Sequence, residues 1–219
     1  MRTKRGAPRL IWGVGLNYRD HAAETGRPLP EAPTLFVKSP SSVIGPGEPI
    51  VVPPVVTMPD YEGELAVVIG TQCRDVPVER ALDVVAGLTI GHDVSARDHQ
   101  YTTGQWSWSK SFDTFCPLGD VVVSLDEVDL AGGLAIETRV SGEVLQSSNT
   151  SELVFSVPEL IAWVTQGCTL EPDDVILTGT PAGVGAARNP PRWLVDGDTV
   201  EITIDGLGTL RNPVVRDLG

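Results

Sequence analysis

The stretch Asp60-Tyr61-Glu62-Gly63-Glu64 opens the apolar run Leu65-Ala66-Val67-Val68-Ile69-Gly70 and sets two carboxylates one residue apart at the start of a strand-like segment. Alternation along a strand sends Glu62 and Glu64 to the same side, so their carboxylates converge. Two converging anions beside a buried run repel, and either one takes up a proton or a cation sits between them. A lone Glu-x-Glu is more often a surface pair at a frayed strand start. This pair therefore needs company to be a site.

Two further clusters supply it. Asn17-Tyr18-Arg19-Asp20-His21-Ala22-Ala23-Glu24 has room for barely two helical turns, on which His21 and Glu24 share a face. A carboxylate three residues on orients an imidazole and raises its basicity, which suits a general base, although a surface ion pair has the same spacing. Gly26, Pro28, Pro30 and Pro33 follow, and residues 17–33 read as a mobile lid segment. The third cluster is Leu88 to Gln100, which begins as a strand and turns polar through His92, Asp93, Arg97, Asp98 and His99.

The elements that must position these groups are mostly strands. Leu10–Leu16, Thr34–Lys38, Val121–Leu125, Leu134–Val140, Asp174–Leu177 and Thr199–Ile204 read as strands, with Asp205-Gly206 a turn. Helical spacing covers Val78–Ala86, ending at Gly87, and Ser156–Thr165, where Ser156, Pro158 and Glu159 resemble a helix start. Ser39–Pro54 reads as loop and turn. Many short strands with few helices make a β-rich α+β domain. Gly13-x-Gly15 lacks the third glycine of a dinucleotide fingerprint, and Thr178-Gly179-Thr180-Pro181-Ala182-Gly183-Val184-Gly185 lacks the Gly-Lys-Ser/Thr ending of a phosphate loop. The latter reads as a tight loop that brings backbone amides and Thr180 to a ligand, or as a plain turn. Trp106 and Trp108, at strand spacing, read as packing aromatics, and His92 and His99 as structural or supporting residues.

Composition excludes several classes. With 219 residues and 41% hydrophobic content, the chain can bury one sizeable core. A net charge of -13 argues against nucleic acid, and an anionic substrate would need local positive charge. Cys73, Cys116 and Cys168 are odd in number and widely spaced, so no disulfide framework or zinc ribbon is indicated and a reducing cytoplasm fits. No run approaches a membrane span, and the N-terminal basic and apolar stretch does not read as a secretory signal.

Taken in order, Asn17-Tyr18-x-x-His21-x-x-Glu24, Phe36-x-Lys38, Tyr61-Glu62-x-Glu64-Leu65, Asp93-Val94-Ser95-Ala96-Arg97-Asp98, Lys110-Ser111-Phe112-Asp113 and Gly179-Thr180-Pro181-x-Gly183-Val184-Gly185 resemble the fumarylacetoacetate hydrolase family over nearly the whole chain. The resemblance is to its short branch. It implies one catalytic domain over residues 1–219, built as an α+β mixed-sheet roll with few short helices. It implies Glu62, Glu64 and Asp93 as ligands of Mg²⁺ or Mn²⁺, and three hard carboxylate oxygens suit such an ion. It further implies His21 and Glu24 as the acid/base dyad, Lys110 as a catalytic cation, and Arg97, Gln100 and Thr180 as substrate-binding residues. The expected substrate is a small anionic 2-oxo acid and the expected assembly a homodimer in the cytoplasm. Ser109 and Ser141 depart from the glycine and asparagine usual in relatives, which bears on substrate preference. The leading expectation is Mg²⁺-dependent hydrolysis of the C–C bond of an acylpyruvate-like 2,4-dioxo acid. Alternatives are decarboxylation of oxaloacetate or a related oxo-dioate, 2-hydroxyhepta-2,4-diene-1,7-dioate isomerisation, or a non-catalytic metal- or ligand-binding scaffold.

Overall fold

A computed structural model describes residues 1–217. Two sheets share one core. The first contains β1 (Arg2–Lys4), β2 (Ile11–Gly15), β3 (Thr34–Lys38), β5 (Gly63–Ile69), β6 (Val85–His92), β7 (Val121–Val123) and β10 (Val175–Leu177), in the order β1-β7-β6-β5-β10-β2-β3. Only β10 and β2 run parallel; the other pairs are antiparallel. The second sheet has the order β9-β8-β11-β12-β4, from β4 (Ile50–Val52), β8 (Ala135–Val140), β9 (Glu143–Asn149), β11 (Thr199–Ile204) and β12 (Gly208–Arg216). The helices are α1 (Arg19–Thr25), α2 (Arg97–Thr103), α3 (Trp106–Ser109) and α4 (Val157–Thr165), with short 3₁₀ turns besides. This is the β-rich α+β architecture expected.

The position of β5 explains its unbroken apolar sequence. Every residue of the strand is buried. Leu65, Val67 and Ile69 join the core shared with Ile136, Ile202 and Ile204 of the second sheet. Ala66 and Val68 point the other way, into a cluster with Ile11, Cys116, Val175 and Leu177. A strand covered on both faces has no side to leave polar, so it reads as a continuous hydrophobic run. Register then brings chain ends together. Gly63 pairs with His92 and Ala66 with Leu177, while Leu177 pairs with Gly13. The start of β5 and the ends of β6, β10 and β2 therefore meet along one edge of the sheet, where the polar clusters lie.

Three local expectations are corrected. Val78–Val84 is a 3₁₀ helix, and Val85, Ala86 and Gly87 already belong to β6, because pairing with β5 captures them through a bulge at Val68/Ile69. Trp106 and Trp108 lie on α3 and not on a strand, so they face different ways: Trp106 stands edge-on to Phe36 at 5.9 Å between centroids, and Trp108 packs on His99 at 4.9 Å. Ser39–Pro54 is not all loop, since β4 pairs with β12 at the edge of the second sheet. Two strands, β9 and β12, lacked a clear pattern in the sequence. The capped start of α4 is as expected, with Ser156 and Glu159 forming a reciprocal capping box. Among the described residues no helix is long and apolar enough to cross a membrane.

Gly63, between the two glutamates, lies where the sheets press together. A Cβ there would come within 2.2 Å of Thr138 Oγ1 and 3.1 Å of Ile202. Gly63→Ala should therefore destabilise the protein by about 1–3 kcal/mol in urea unfolding. Adding Thr138→Ala, which removes the obstructing hydroxyl, should recover most of that loss; no recovery would place the strain elsewhere.

Candidate active site

One carboxylate oxygen from each of Glu62, Glu64 and Asp93 lies within 4.8 Å of the other two, and all three residues are buried. Strand alternation accounts for the first two, and the turn out of β6 delivers the third, with the Asp93 amide bonded to the Glu62 carbonyl at 2.9 Å. Cations surround them. Lys110 Nζ donates to Glu62 Oε2 at 2.6 Å and also to Asp93. Lys38 Nζ donates to Asp93 Oδ1 at 2.6 Å from the opposite side. The Arg97 guanidinium is spent on three partners: Asp60 at 2.8 Å, Gln100 at 2.9 Å, and Glu62. Asp60 in turn accepts the backbone amides of Gly185 at 2.7 Å and Ala186 at 3.1 Å.

Glu64 is the exception. Its one hydrogen bond is from the Gly179 amide at 2.8 Å, and no ammonium or guanidinium reaches it among the described residues. Burial pushes its carboxyl well above the usual carboxylate range, and the charges of Asp93 and Glu62 push it further. Burial acts equally on Glu62, but there Arg97 and Lys110 prevail and hold the carboxyl below that range. Burial also works against the Lys110 ammonium, and Asp93 and Glu62 outweigh it, raising its pKa. The donor set thus fits a hard divalent cation: three convergent carboxylates, one of them lacking a counter-charge. Zinc-preferring His or Cys donors are absent from it.

The cavity above this floor has a volume of about 160 Å³ and is walled by Phe36, Trp106, Gly15, Tyr101, Thr180 and Val184. The glycines of β2 make room for its aromatic wall. A Cβ on Gly13 would meet the Phe36 ring at 2.2 Å, and one on Gly15 the Trp106 ring at 2.2 Å. Gly13-x-Gly15 is thus a packing feature, as its missing third glycine suggested.

His21 faces the cavity from α1, and of the three histidines in the chain it alone does so. Its Nδ1 lies 3.1 Å from Glu24 Oε2. The other Glu24 oxygen accepts the Gly183 amide at 2.9 Å, while Asp20 accepts from Ser148 at 2.5 Å and from the Ala182 amide at 3.3 Å. The His21–Glu24 pair is therefore fastened to the glycine-rich loop after β10. Thr180 Oγ1 donates to the Gly63 carbonyl at 3.0 Å and accepts from Gln146 at 2.8 Å, which ties that loop to β5. His92 lies fully buried away from the cavity, its pKa lowered to about 3 by burial and then by Lys38, and His99 pairs with Asp98 at 3.0 Å.

The structure thus brings together His21, Glu24, Glu62, Glu64, Asp93, Arg97, Gln100, Lys110 and Thr180. Arg97 and Gln100 line the cavity, but their polar atoms chiefly brace the floor. Sequence reasoning missed Lys38, Asp60 and Gln146. Lys38 stood within the quoted Phe36-x-Lys38 motif, and a lysine ending a buried strand was the signal available for it. Gln146 lies on β9, which carried no readable pattern.

The fold and this carboxylate-floored, imidazole-capped cavity define an enzyme with an acidic triad that could hold a metal ion. The sequence pattern for the fumarylacetoacetate hydrolase C-terminal region matches residues 10–215, and the chain belongs to that family. Its relatives include the mitochondrial oxaloacetate tautomerase FAHD2A of Homo sapiens, 49% identical over 95% of this chain and 67% of the relative. The mitochondrial oxaloacetate tautomerase of Xenopus laevis is 47% identical over 95% of this chain and 66% of its own length, so the chain spans about two thirds of these relatives. Among solved structures, a 5-carboxymethyl-2-hydroxymuconate delta-isomerase from Mycobacterium smegmatis superposes with a TM-score of 0.88 at 46% identity, covering 97% of this chain and 81% of that one. A fumarylacetoacetate hydrolase from Exiguobacterium antarcticum superposes with a TM-score of 0.88 at 44% identity, covering 96% and 76%. Members of the family are generally dependent on a divalent metal.

The unpaired charge of Glu64 gives the site a pH signature. Its folded pKa is raised above the usual 4.5, so the stability it contributes is full below that value and lost as pH rises through the folded one. A bound dication holds Glu64 ionised and cancels the loss. Saturating Mg²⁺ should raise the Tm of metal-stripped protein by roughly 5–10 °C near pH 8 and by less near pH 5, as read by calorimetry. Glu64→Gln should remove that difference; an equal shift at both pH values would contradict the assignment.

Proposed function

We propose that this protein is a divalent-metal-dependent enzyme that moves a proton at the carbon next to the oxo group of a small anionic 2-oxo acid, a keto–enol tautomerase or isomerase. The observation that carries this reading is the His21–Glu24 dyad, which presents the cavity's one imidazole above the three carboxylates. Glu62, Glu64 and Asp93 would hold the Mg²⁺ or Mn²⁺. A bound dication would engage the substrate's carboxylate and neighbouring oxo oxygen and draw charge onto that oxygen.

The chain's own groups do the rest. Glu24 accepts a hydrogen bond from His21 Nδ1–H, the tautomer that leaves Nε2 free to act as the base. In the keto-to-enol direction His21 takes a proton from carbon 3, the C–H electron pair becomes the C2–C3 double bond, and the carbonyl pair moves onto oxygen. The oxygen is protonated from solvent or Lys110. Lys110 now divides its bonds between Glu62 and Asp93. With a dication among the carboxylates those bonds weaken, and the ammonium can turn toward the developing oxyanion. The aromatic wall of Phe36 and Trp106 keeps the cavity partly dry, and a volume far below the roughly 300 Å³ of a drug-sized pocket suits a small acid. The activities for which the oxaloacetate tautomerases and the muconate isomerase are named support a proton transfer of this type.

Hydrolysis of an acylpyruvate-like 2,4-dioxo acid remains a second reading, supported by the likeness to the Exiguobacterium hydrolase. There His21 would take its proton from a water that attacks the distal carbonyl, and the C3–C4 bond would break. Solvent exchange separates the two. In D₂O with Mg²⁺, the wild-type protein should place deuterium on carbon 3 of oxaloacetate. His21→Ala should slow this by about 10²–10⁴-fold while keeping the Mg²⁺-induced rise in Tm. Cleavage of an acylpyruvate to pyruvate outrunning exchange would establish the hydrolase instead, and pyruvate and CO₂ from oxaloacetate would establish a decarboxylase.

A further inference from the structure

The charge balance of the cavity leaves one cation unused. Its floor holds four buried carboxylates, Asp60, Glu62, Glu64 and Asp93, against three buried cations, Lys38, Arg97 and Lys110. Every one of those cations is bonded to a floor carboxylate. With all four carboxylates ionised the floor is one negative charge in excess, which a dication turns into one net positive charge. The carboxylate next to the substrate's oxo group cancels that. A second substrate carboxylate finds nothing left on the floor to meet it.

Arg27 stands at the cavity and is not committed elsewhere. It lines the opening beside His21, Thr25 and Tyr101. Its guanidinium has no hydrogen-bond or ion-pair partner among the described residues, in a chain whose net charge is -13. Its backbone, by contrast, is held. Gly26, at φ 64°, closes α1, and the Arg27 amide donates to the Ala22 carbonyl at 3.0 Å. Pro28 follows and fixes the exit of the chain. A long side chain with a planar five-donor head is thus anchored at the rim of a pocket whose other cations are all spent.

We propose that Arg27 binds the far carboxylate of a dicarboxylic 2-oxo acid whose other end lies on the carboxylate floor, and so sets the preference for dioates over monoacids. This rests on the substrate end assigned under the proposed function. Arg27 is a specificity residue here, remote from the reacting carbon, so its effect falls on affinity more than on turnover.

The probes are a matched pair of equal length, 2-oxoglutarate and 2-oxopentanoate, titrated by calorimetry into the full chain with Mg²⁺ present. Wild-type protein should bind the dioate more tightly. Arg27→Gln should reduce the ratio of the two affinities by about 10–100-fold, the loss expected for a charge-assisted hydrogen bond. Arg27→Lys should restore part of it, since the charge returns without the fork. A ratio that Arg27→Gln leaves within about twofold of wild type overturns the proposal, as does failure of both probes to bind. Carbon-3 deuterium exchange is followed in parallel. Dioate preference without exchange overturns the reaction class and leaves Arg27 in place, whereas exchange with a preference indifferent to Arg27 overturns Arg27 alone.

Discussion

The structure depends on the compensation of ionised groups taken out of water together. Asp60, Glu62, Glu64 and Asp93 are buried with Lys38, Arg97 and Lys110 around the end of one strand. Removing an ion from water costs several kcal/mol even after relaxation, and partners recover this only when geometry and hydrogen bonds are good. The surrounding fold supplies both. Lys38 comes from an edge strand, Arg97 opens a short helix, Lys110 follows another, and backbone amides of Gly179, Gly185 and Ala186 complete the shells. The ion pairs also pin the end of β3, the start of α2 and the end of α3 to the residues just before β5 and just after β6. The network positions the elements as much as the elements position the network.

Its incompleteness is what makes it a site. A fully paired buried network would be inert, and here Glu64 has an amide for a partner while its neighbours have cations. Two anions at close range then leave a demand for positive charge aimed at the cavity. The same arrangement explains why Arg97 and Lys110 sit so close to a place where a cation would bind. They reduce the excess negative charge so that the floor is stable without a metal and still attractive to one.

The His21–Glu24 pair is joined to this floor through the backbone of the loop after β10. Glu24 and Asp20 accept amides of that loop, and the loop's Gly179 and Thr180 hold Glu64 and the Gly63 carbonyl. Movement of α1 thus has a short mechanical path to Glu64. Glycine-rich sequence serves this loop through its exposed amides and a backbone that lies against β9; a Cβ on Gly183 would meet the Leu145 carbonyl at 2.0 Å.

Much of the site was legible in residue order because its geometry is local. Period-two alternation is enough to make Glu62 and Glu64 converge, helical spacing is enough to pair His21 with Glu24, and both hold in the structure. The joint order of the short motifs pointed to the family that residues 10–215 match. Other features came from contacts that no local period encodes. Lys38 meets Asp93 across 55 positions and Gln146 meets Gly63 across 83. The tryptophans took helical directions because α3 packs against β3, and the extent of β6 followed from pairing with β5. By itself the sequence determined which side chains share a face and what chemistry they carry. Only the tertiary structure decided which cations are consumed by which carboxylates, because that depends on which chain ends the sheet registers bring together.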